Sequence, residues 1–192
     1  FTNQRDLLSG TAFVRFEHRG VVALTGADRL SYLDSLVSQD LANLSPGQSS
    51  EALLLDPQGR IERVFGVFDD GVTTWLLVDE EQAGPASAFL DRMTFSKDAA
   101  ATDVSSQFTR VGFFSGSTAD EVVSALAVAP NAVPVIWADP WNTVSAGGWQ
   151  YASAESHPAP HWNYREALVA NESVETLLSN ESLAEVTPAD WD

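Results

Sequence analysis

The segment Leu53–Phe65, LLLDPQGRIERVF, contains two apolar runs separated by four turn-forming residues. Pro57 sets φ near about −65° at the second turn position, and Gly59 closes the turn at little steric cost. This pattern predicts a β-hairpin, so the chain must contain an antiparallel sheet. Glu62 and Arg63 form a polar pair at the start of the second strand. They either mark an exposed strand end or line a pocket.

The first half of the chain predicts two strands, a helix, three strands and a second helix. Asp28 is the expected N-cap of the first helix, and Leu30, Leu33 and Val37 recur on one face of it. The middle strand of the three is apolar on both faces and is expected to be central. The predicted strands are Thr11–Phe16, Val21–Leu24, Ser49–Leu55, Arg60–Phe68 and Val72–Val78, and the second helix is Glu80–Met93.

The second half repeats this outline without a residue-level repeat. We predict strands at Ala99–Val104, Phe108–Phe114, Val133–Trp137, Thr143–Ser145 and Trp149–Ala152, and helices at Thr118–Ala127, Trp162–Ala170 and Ser173–Leu183. Successive strands are joined by short connections of hairpin length, and few helices separate them. This order indicates an α+β fold with mainly antiparallel sheets. We expect two subdomains, residues 1–98 and residues 99–192.

Charge and composition exclude several classes of partner. The net charge is −17, from 27 acidic residues against 10 basic ones, and the bases are one Lys and nine scattered Arg. Nucleic acids and anionic membrane surfaces require clustered cations, so neither is an expected partner. The chain has no Cys, no apolar run of the roughly 18 residues that a membrane helix needs, and no basic-then-apolar N-terminus. These features favour a cytoplasmic protein.

No catalytic motif emerges from residue spacing alone. Asp69 and Asp70 precede a Gly between two strands, which favours a hairpin turn over a cation site. His157 and His161 are separated by prolines that forbid a shared helix face, so two loop histidines are preferred to a metal site. Four Trp crowd the second half and are expected to be core or half-core residues, with a flat aromatic ligand stacking on one of them as the alternative. They are Trp137, Trp141, Trp149 and Trp162.

Taken jointly, several motifs in residues 19–79 resemble the YgfZ/GcvT folate-binding family. They are G-V-V-x-L-T-G-x-D-R, L-x-S-L-x-S-Q-D, a Pro-Gly loop and L-L-x-P-x-G-R-I, and the late TPADWD segment also fits. The resemblance implies two intertwined β-β-α-β-β-β-α subdomains that form a tetrahydrofolate site. It also implies a C-terminal barrel and a K-G-C-Y-x-G-Q-E motif beyond Asp192, so we expect the sequence to be truncated there.

Within this family, the resemblance favours the YgfZ-like branch over the aminomethyltransferases. The transferase pattern G-G-I-x-D-D places its catalytic acid at Arg63 and the second acid at Val64. A guanidinium stays protonated near neutral pH and cannot accept a proton as a carboxylate does. The YgfZ-like branch implies a non-catalytic folate-binding protein that assists iron–sulfur client proteins. Two alternatives stay open: a protein-interaction scaffold of the same fold that has lost folate, and a folate-dependent enzyme that uses Glu62.

The resemblance also suggests a set of folate-contacting residues. The pterin ring would lie against the second strand of the hairpin and its neighbour, near Arg63, Phe65, Leu76 and Val78. The family's E-A-L-R helix has Val169 in place of its Arg, so Arg165 is the substitute for holding a folate carboxylate.

Overall fold

The chain folds into two five-stranded sheets, and the computed structural model describes residues 2–142 and 161–191. The strands are β1 (Ala12–Phe16), β2 (Arg19–Thr25), β3 (Ser49–Leu55), β4 (Ile61–Asp69), β5 (Thr74–Asp79), β6 (Ala100–Asp103), β7 (Phe108–Phe114), β8 (Ile136–Ala138), β9 (Tyr164–Ala170) and β10 (Ala184–Val186). The helices are α1 (Thr2–Ser9), α2 (Arg29–Asp34), α3 (Glu80–Met93), α4 (Thr118–Leu126), α5 (Val174–Leu178) and α6 (Pro188–Trp191).

The two halves of the chain exchange strands between the sheets. The first sheet has the order β3-β4-β5-β2-β6, and the second has the order β10-β1-β7-β9-β8. Neighbouring strands are antiparallel except β1 and β10, which are parallel. Since β1 joins the second sheet and β6 joins the first, the sheets are intertwined, as predicted. The α+β class with mainly antiparallel sheets is confirmed, whereas the division at residue 98 stays a prediction.

The sheets face each other, and helices cover their outer faces. One apolar cluster joins the facing surfaces and includes Phe68 and Trp75 from the first sheet and Leu168 from the second. A second cluster packs the first sheet against α2 and α3, and a third packs the second sheet against α4 and α5. Each fully buried large side chain contributes about 1.5–3 kcal/mol to folding. None of the described helices has the length and apolar character of a membrane-crossing segment.

The predicted helix over Trp162–Ala170 is wrong, because Tyr164–Ala170 forms strand β9. The run Glu166-Ala167-Leu168 has good helix propensity, but β9 lies between β7 and β8 and is covered on both faces. Tertiary pairing therefore overrides local propensity. The strands predicted at Thr143–Ser145 and Trp149–Ala152 lie outside the described residues, as do His157 and Trp149.

The acidic pair at the β4–β5 turn, Asp69 and Asp70, is buried, and its carboxylates hydrogen-bond to residues of the turn. Asp69 accepts two hydrogen bonds from Arg29, each 2.9 Å long, and one from the Thr74 hydroxyl at 2.5 Å. Asp70 accepts hydrogen bonds from the backbone N–H groups of Val72 and Thr73 and from the side chains of Trp75 and Asn131. Among the described residues, no cluster of His, Asp or Glu is arranged to hold a metal ion.

Burial of Asp70 by itself would raise the pKa of its carboxyl group, but the hydrogen bonds from Thr73, Trp75, Asn131 and Val72 together lower it. A carboxyl whose pKa is lower in the folded state stabilises the fold above its unfolded pKa of about 4. That stability is lost as the pH falls through the folded-state pKa.

We predict that Asp70→Asn destabilises the protein by about 1–3 kcal/mol at pH 7. The NH2 group of Asn would replace one carboxylate oxygen, and it cannot accept the hydrogen bonds that the neighbouring N–H groups donate there. The variant should also lose less stability than wild type between pH 5 and about pH 3. Urea unfolding at several pH values measures both effects, with Asp40→Asn, an exposed carboxylate, as the control. Equal losses in the two variants would contradict the prediction.

Candidate functional site

A cavity of about 160 Å³ lies between the sheets, where β4 and β5 approach β8 and β9. Its walls combine apolar surface with charged groups from both sheets. The lining residues are Arg19, Glu51, Val64, Gly66, Leu77, Val78, Asp79, Arg110, Trp137 and Glu166. Half of the lining residues are charged, so the cavity is more polar than most small-molecule sites, which are mainly apolar.

One wall of the cavity depends on the absence of a side chain at Gly66. A Cβ atom there would lie 3.2 Å from Cε2 of Trp137 and 3.3 Å from Cβ of Leu77. The indole of Trp137 therefore lies directly against strand β4, and its N–H donates a hydrogen bond of 2.8 Å to the carbonyl of Ser50. Glycine inside a strand often marks such a close approach.

The opposite wall is a buried ion pair. Arg110 and Glu166 are 5% and 4% exposed, and two nitrogens of Arg110 lie 2.7 and 2.6 Å from Oε2 of Glu166. Arg110 also donates to the carbonyl of Val78, at 2.7 Å, in the other sheet. The Tyr164 hydroxyl donates to Oε1 of Glu166 at 3.0 Å, and burial, followed by the charge of Glu166, raises the pKa of Tyr164 well above its usual value.

Glu51 and Asp79 are the two acids of the cavity lining whose side chains accept no hydrogen bond from any of the described residues. Both residues are exposed to solvent. Partial burial raises the pKa of Glu51 above its usual range, and the negative charge of Asp139 raises it further. Glu51 can therefore accept hydrogen bonds from a ligand that enters the cavity.

The structure brings four of the five predicted folate contacts together. Phe65, Leu76 and Val78 belong to the core between the first sheet and helices α2 and α3. The guanidinium carbon of Arg63 lies 5.8 Å from the ring centroid of Phe89 in α3, on the same face of the sheet. Arg165 lies on β9 in the other sheet, opposite Phe113 and Ala138. The role of these five residues in folate binding stays a prediction.

The cavity lies on the opposite face of β4 from Arg63. Val64 and Gly66 line the cavity. Val78 lines it as well, and it is the one predicted folate contact among the lining residues. The resemblance places acids at the positions of Arg63 and Val64. Val64 lines the cavity, whereas Arg63 contacts helix α3 on the other face of the sheet. A bulge at the start of β4 pairs Leu54 with Arg63 and Leu55 with Ile61, which leaves Glu62 as the extra residue.

Sequence reasoning missed most of the residues that line the cavity. Gly66 carried a usable signal, since a glycine inside an apolar strand suggests close approach of another group. Trp137 was among the residues considered for ligand stacking. Glu166 was hidden by the helix predicted over its segment, and no local pattern could have paired it with Arg110, which lies 56 residues away.

Comparisons with known proteins agree with this architecture. No family profile matches the chain. It is 36% identical over 85 residues to an aminomethyltransferase of Nostoc sp. and 35% identical over 81 residues to one of Rippkaea orientalis. These matches cover 43% and 42% of this chain but only 20% of each relative.

A solved structure matches almost the whole chain. The crystal structure of glycine cleavage system aminomethyltransferase T from Bartonella henselae superposes with a TM-score of 0.68 at 15% identity. The match covers 99% of this chain and 52% of that one, so the chain spans about half of that enzyme. The chain therefore has the aminomethyltransferase-like fold. These matches are to aminomethyltransferases and do not single out the YgfZ-like branch.

We predict that Arg110→Met destabilises the protein by about 3–5 kcal/mol, because it leaves the Glu166 carboxylate buried without its cation. The double variant Arg110→Met/Glu166→Met removes both charges and should recover much of this loss. Urea unfolding measures the three free energies. The control is Arg60→Gln, which breaks an exposed pair with Asp56 and should cost less than about 1 kcal/mol. A loss for Arg110→Met as small as the control's would contradict the prediction.

Proposed function

We propose that this protein binds tetrahydrofolate, with the pterin ring in the cavity between the two sheets, and that it does not catalyse one-carbon transfer by itself. The observation that carries the proposal is the combination of an aromatic wall at Trp137 with the carboxylate of Glu51, which accepts no hydrogen bond from a described residue. The sequence resemblance to folate-binding proteins supplies the class of ligand.

The residues present suit a pterin. The ring is flat, so it can stack on the indole of Trp137, and one of its edges carries N–H donors that a carboxylate such as Glu51 accepts. A volume of about 160 Å³ is smaller than the roughly 300–1,000 Å³ of sites for drug-sized ligands, so the cavity suits the ring and not the whole molecule. When bound, tetrahydrofolate would supply a carrier for one-carbon units.

The loss of both acids of the transferase pattern argues against catalysis by the transferase route. Arg63, where the resemblance places the catalytic acid, packs beside Phe89 on the helix side of the sheet. Val64, at the second acid position, offers the cavity only an aliphatic side chain. Glu166 does line the cavity but is already paired with Arg110.

The enzyme alternative depends on Glu62. This residue is exposed, and its carboxylate lies 3.6 Å from the guanidinium of Arg63. We expect no aminomethyl transfer from wild-type protein and none from Glu62→Gln. Transfer by wild type that Glu62→Gln abolishes would favour the enzyme over the binding protein.

Two observations favour the scaffold alternative: the net charge of −17, and Val169, which replaces an arginine of the family pattern. Val169 is fully buried in the core between the second sheet and its helices. It therefore lies away from the cavity, and its identity does not weaken the case for a ring bound there.

The cellular part of the proposal is that the protein assists iron–sulfur proteins in the cytoplasm. It rests on the resemblance to the YgfZ-like branch and on the absence of Cys from the sequence. Deletion of the gene should lower the specific activity of iron–sulfur enzymes without lowering their abundance. Wild-type protein should restore that activity, and a variant that does not bind folate should not.

Isothermal titration with tetrahydrofolate tests the binding proposal. We expect saturable binding by wild type and a loss of about 10- to 100-fold in affinity for Glu51→Gln, because the amide cannot replace a charged acceptor. Glu81→Gln, an exposed residue in α3, is the control for the charge change and should bind as wild type does. A flat titration of wild type up to millimolar ligand would overturn the proposal.

A further inference from the structure

Arg19, the first residue of β2, lies where three concavities meet. It lines the central cavity and also two larger surface grooves of about 470 and 650 Å³. The smaller groove is also lined by Glu17 and Glu185, and the larger one by Glu17, Glu80 and Asp103, so Arg15 and Arg19 are the arginines of otherwise acidic walls. A ligand too long for the cavity would therefore extend past Arg19 into one of these grooves.

The guanidinium of Arg19 has spare capacity for an anion. Its one ion pair with a described residue is with Glu166, at 3.8 Å, and Glu166 is already neutralised by Arg110 at 2.6 Å. The guanidinium carbon lies 4.2 Å from the ring centroid of Phe16, so stacking holds the side chain in place. The side chain is 35% exposed, so its remaining N–H groups can reach a ligand.

The other cations of the β1–β2 turn are differently placed. Arg15 lies 2.5 Å from the carboxylate of Glu17 and 2.6 Å from that of Glu185, so its charge is balanced twice. His18 is exposed and lies 3.7 Å from the carboxylate of Glu80. Arg19 is thus the cation of the turn that lines the cavity, and its one ion pair with a described carboxylate is the 3.8 Å contact with Glu166, which Arg110 also neutralises.

We infer that Arg19 binds a carboxylate of a ligand whose ring lies in the central cavity, and that it selects folates with a glutamate tail over pterins without one. This inference rests on the proposed function. Arginine binds carboxylates through parallel N–H···O bonds, and its charge persists at any pH near neutral. A local cation is needed because a protein with a net charge of −17 repels an anionic ligand at longer range.

The test compares two ligands on two proteins. Tetrahydrofolate and 6-methyltetrahydropterin, which has the same ring and no glutamate, are titrated into wild type and Arg19→Gln. Wild type should prefer tetrahydrofolate. Arg19→Gln should lose roughly fivefold to tenfold in affinity for tetrahydrofolate and should bind the methylpterin unchanged, as expected for a half-exposed charged contact.

Two further variants separate charge from shape. Arg19→Lys keeps the charge and should recover part of the preference. Arg92→Gln makes the same charge change at an exposed position in α3 and should bind both ligands as wild type does.

The possible outcomes distinguish the inference from the proposed function. If Arg19→Gln lowers the affinity for both ligands equally, or for neither, the inference is overturned while folate binding stands. If wild type binds the two ligands equally, Arg19 confers no selectivity and the inference is again overturned. If neither ligand binds wild type, the proposed function is overturned, and the inference with it.

Discussion

The ion pair between Arg110 and Glu166 sets the relation between the two sheets. Both side chains are almost fully buried, and a buried charge is costly unless it is paired and hydrogen-bonded. Because Arg110 also donates to the carbonyl of Val78, the pair ties β7 and β9 to β5 of the other sheet. The cavity, the wall at Trp137 and the position of Arg19 all depend on this spacing.

The site combines features of a binding pocket with the loss of a reacting group. Gly66 allows the Trp137 indole to lie against β4, and Glu51 supplies an acceptor whose pKa is raised. At the acid positions of the transferase pattern stand Arg63, which contacts the helix layer, and Val64, which is aliphatic. The lining thus combines an aromatic wall with charged groups, whereas the two acid positions of the transferase pattern carry no carboxylate.

Local signals predicted the elements whose ends are marked by turn chemistry. The strand Ser49–Leu55, the strand Phe108–Phe114 and the helix Glu80–Met93 have the predicted bounds. The same reasoning failed for Trp162–Ala170, where helix propensity competed with pairing to strands distant in the sequence. The helix Thr2–Ser9 and the strand Ala184–Val186 were missed, since their short segments carry little periodicity.

The amino-acid sequence by itself determined the hairpins, the α+β class and the replacement of the transferase acids at Arg63 and Val64. Only the tertiary structure decided which of these two residues faces the cavity. Side chains alternate between the two faces of β4, and the packing of Phe65 against α2 and α3 leaves Val64 and Gly66 on the cavity side. The pairing of Arg110 with Glu166 was likewise decided by folding, because no local pattern encodes a contact between strands so far apart in the chain.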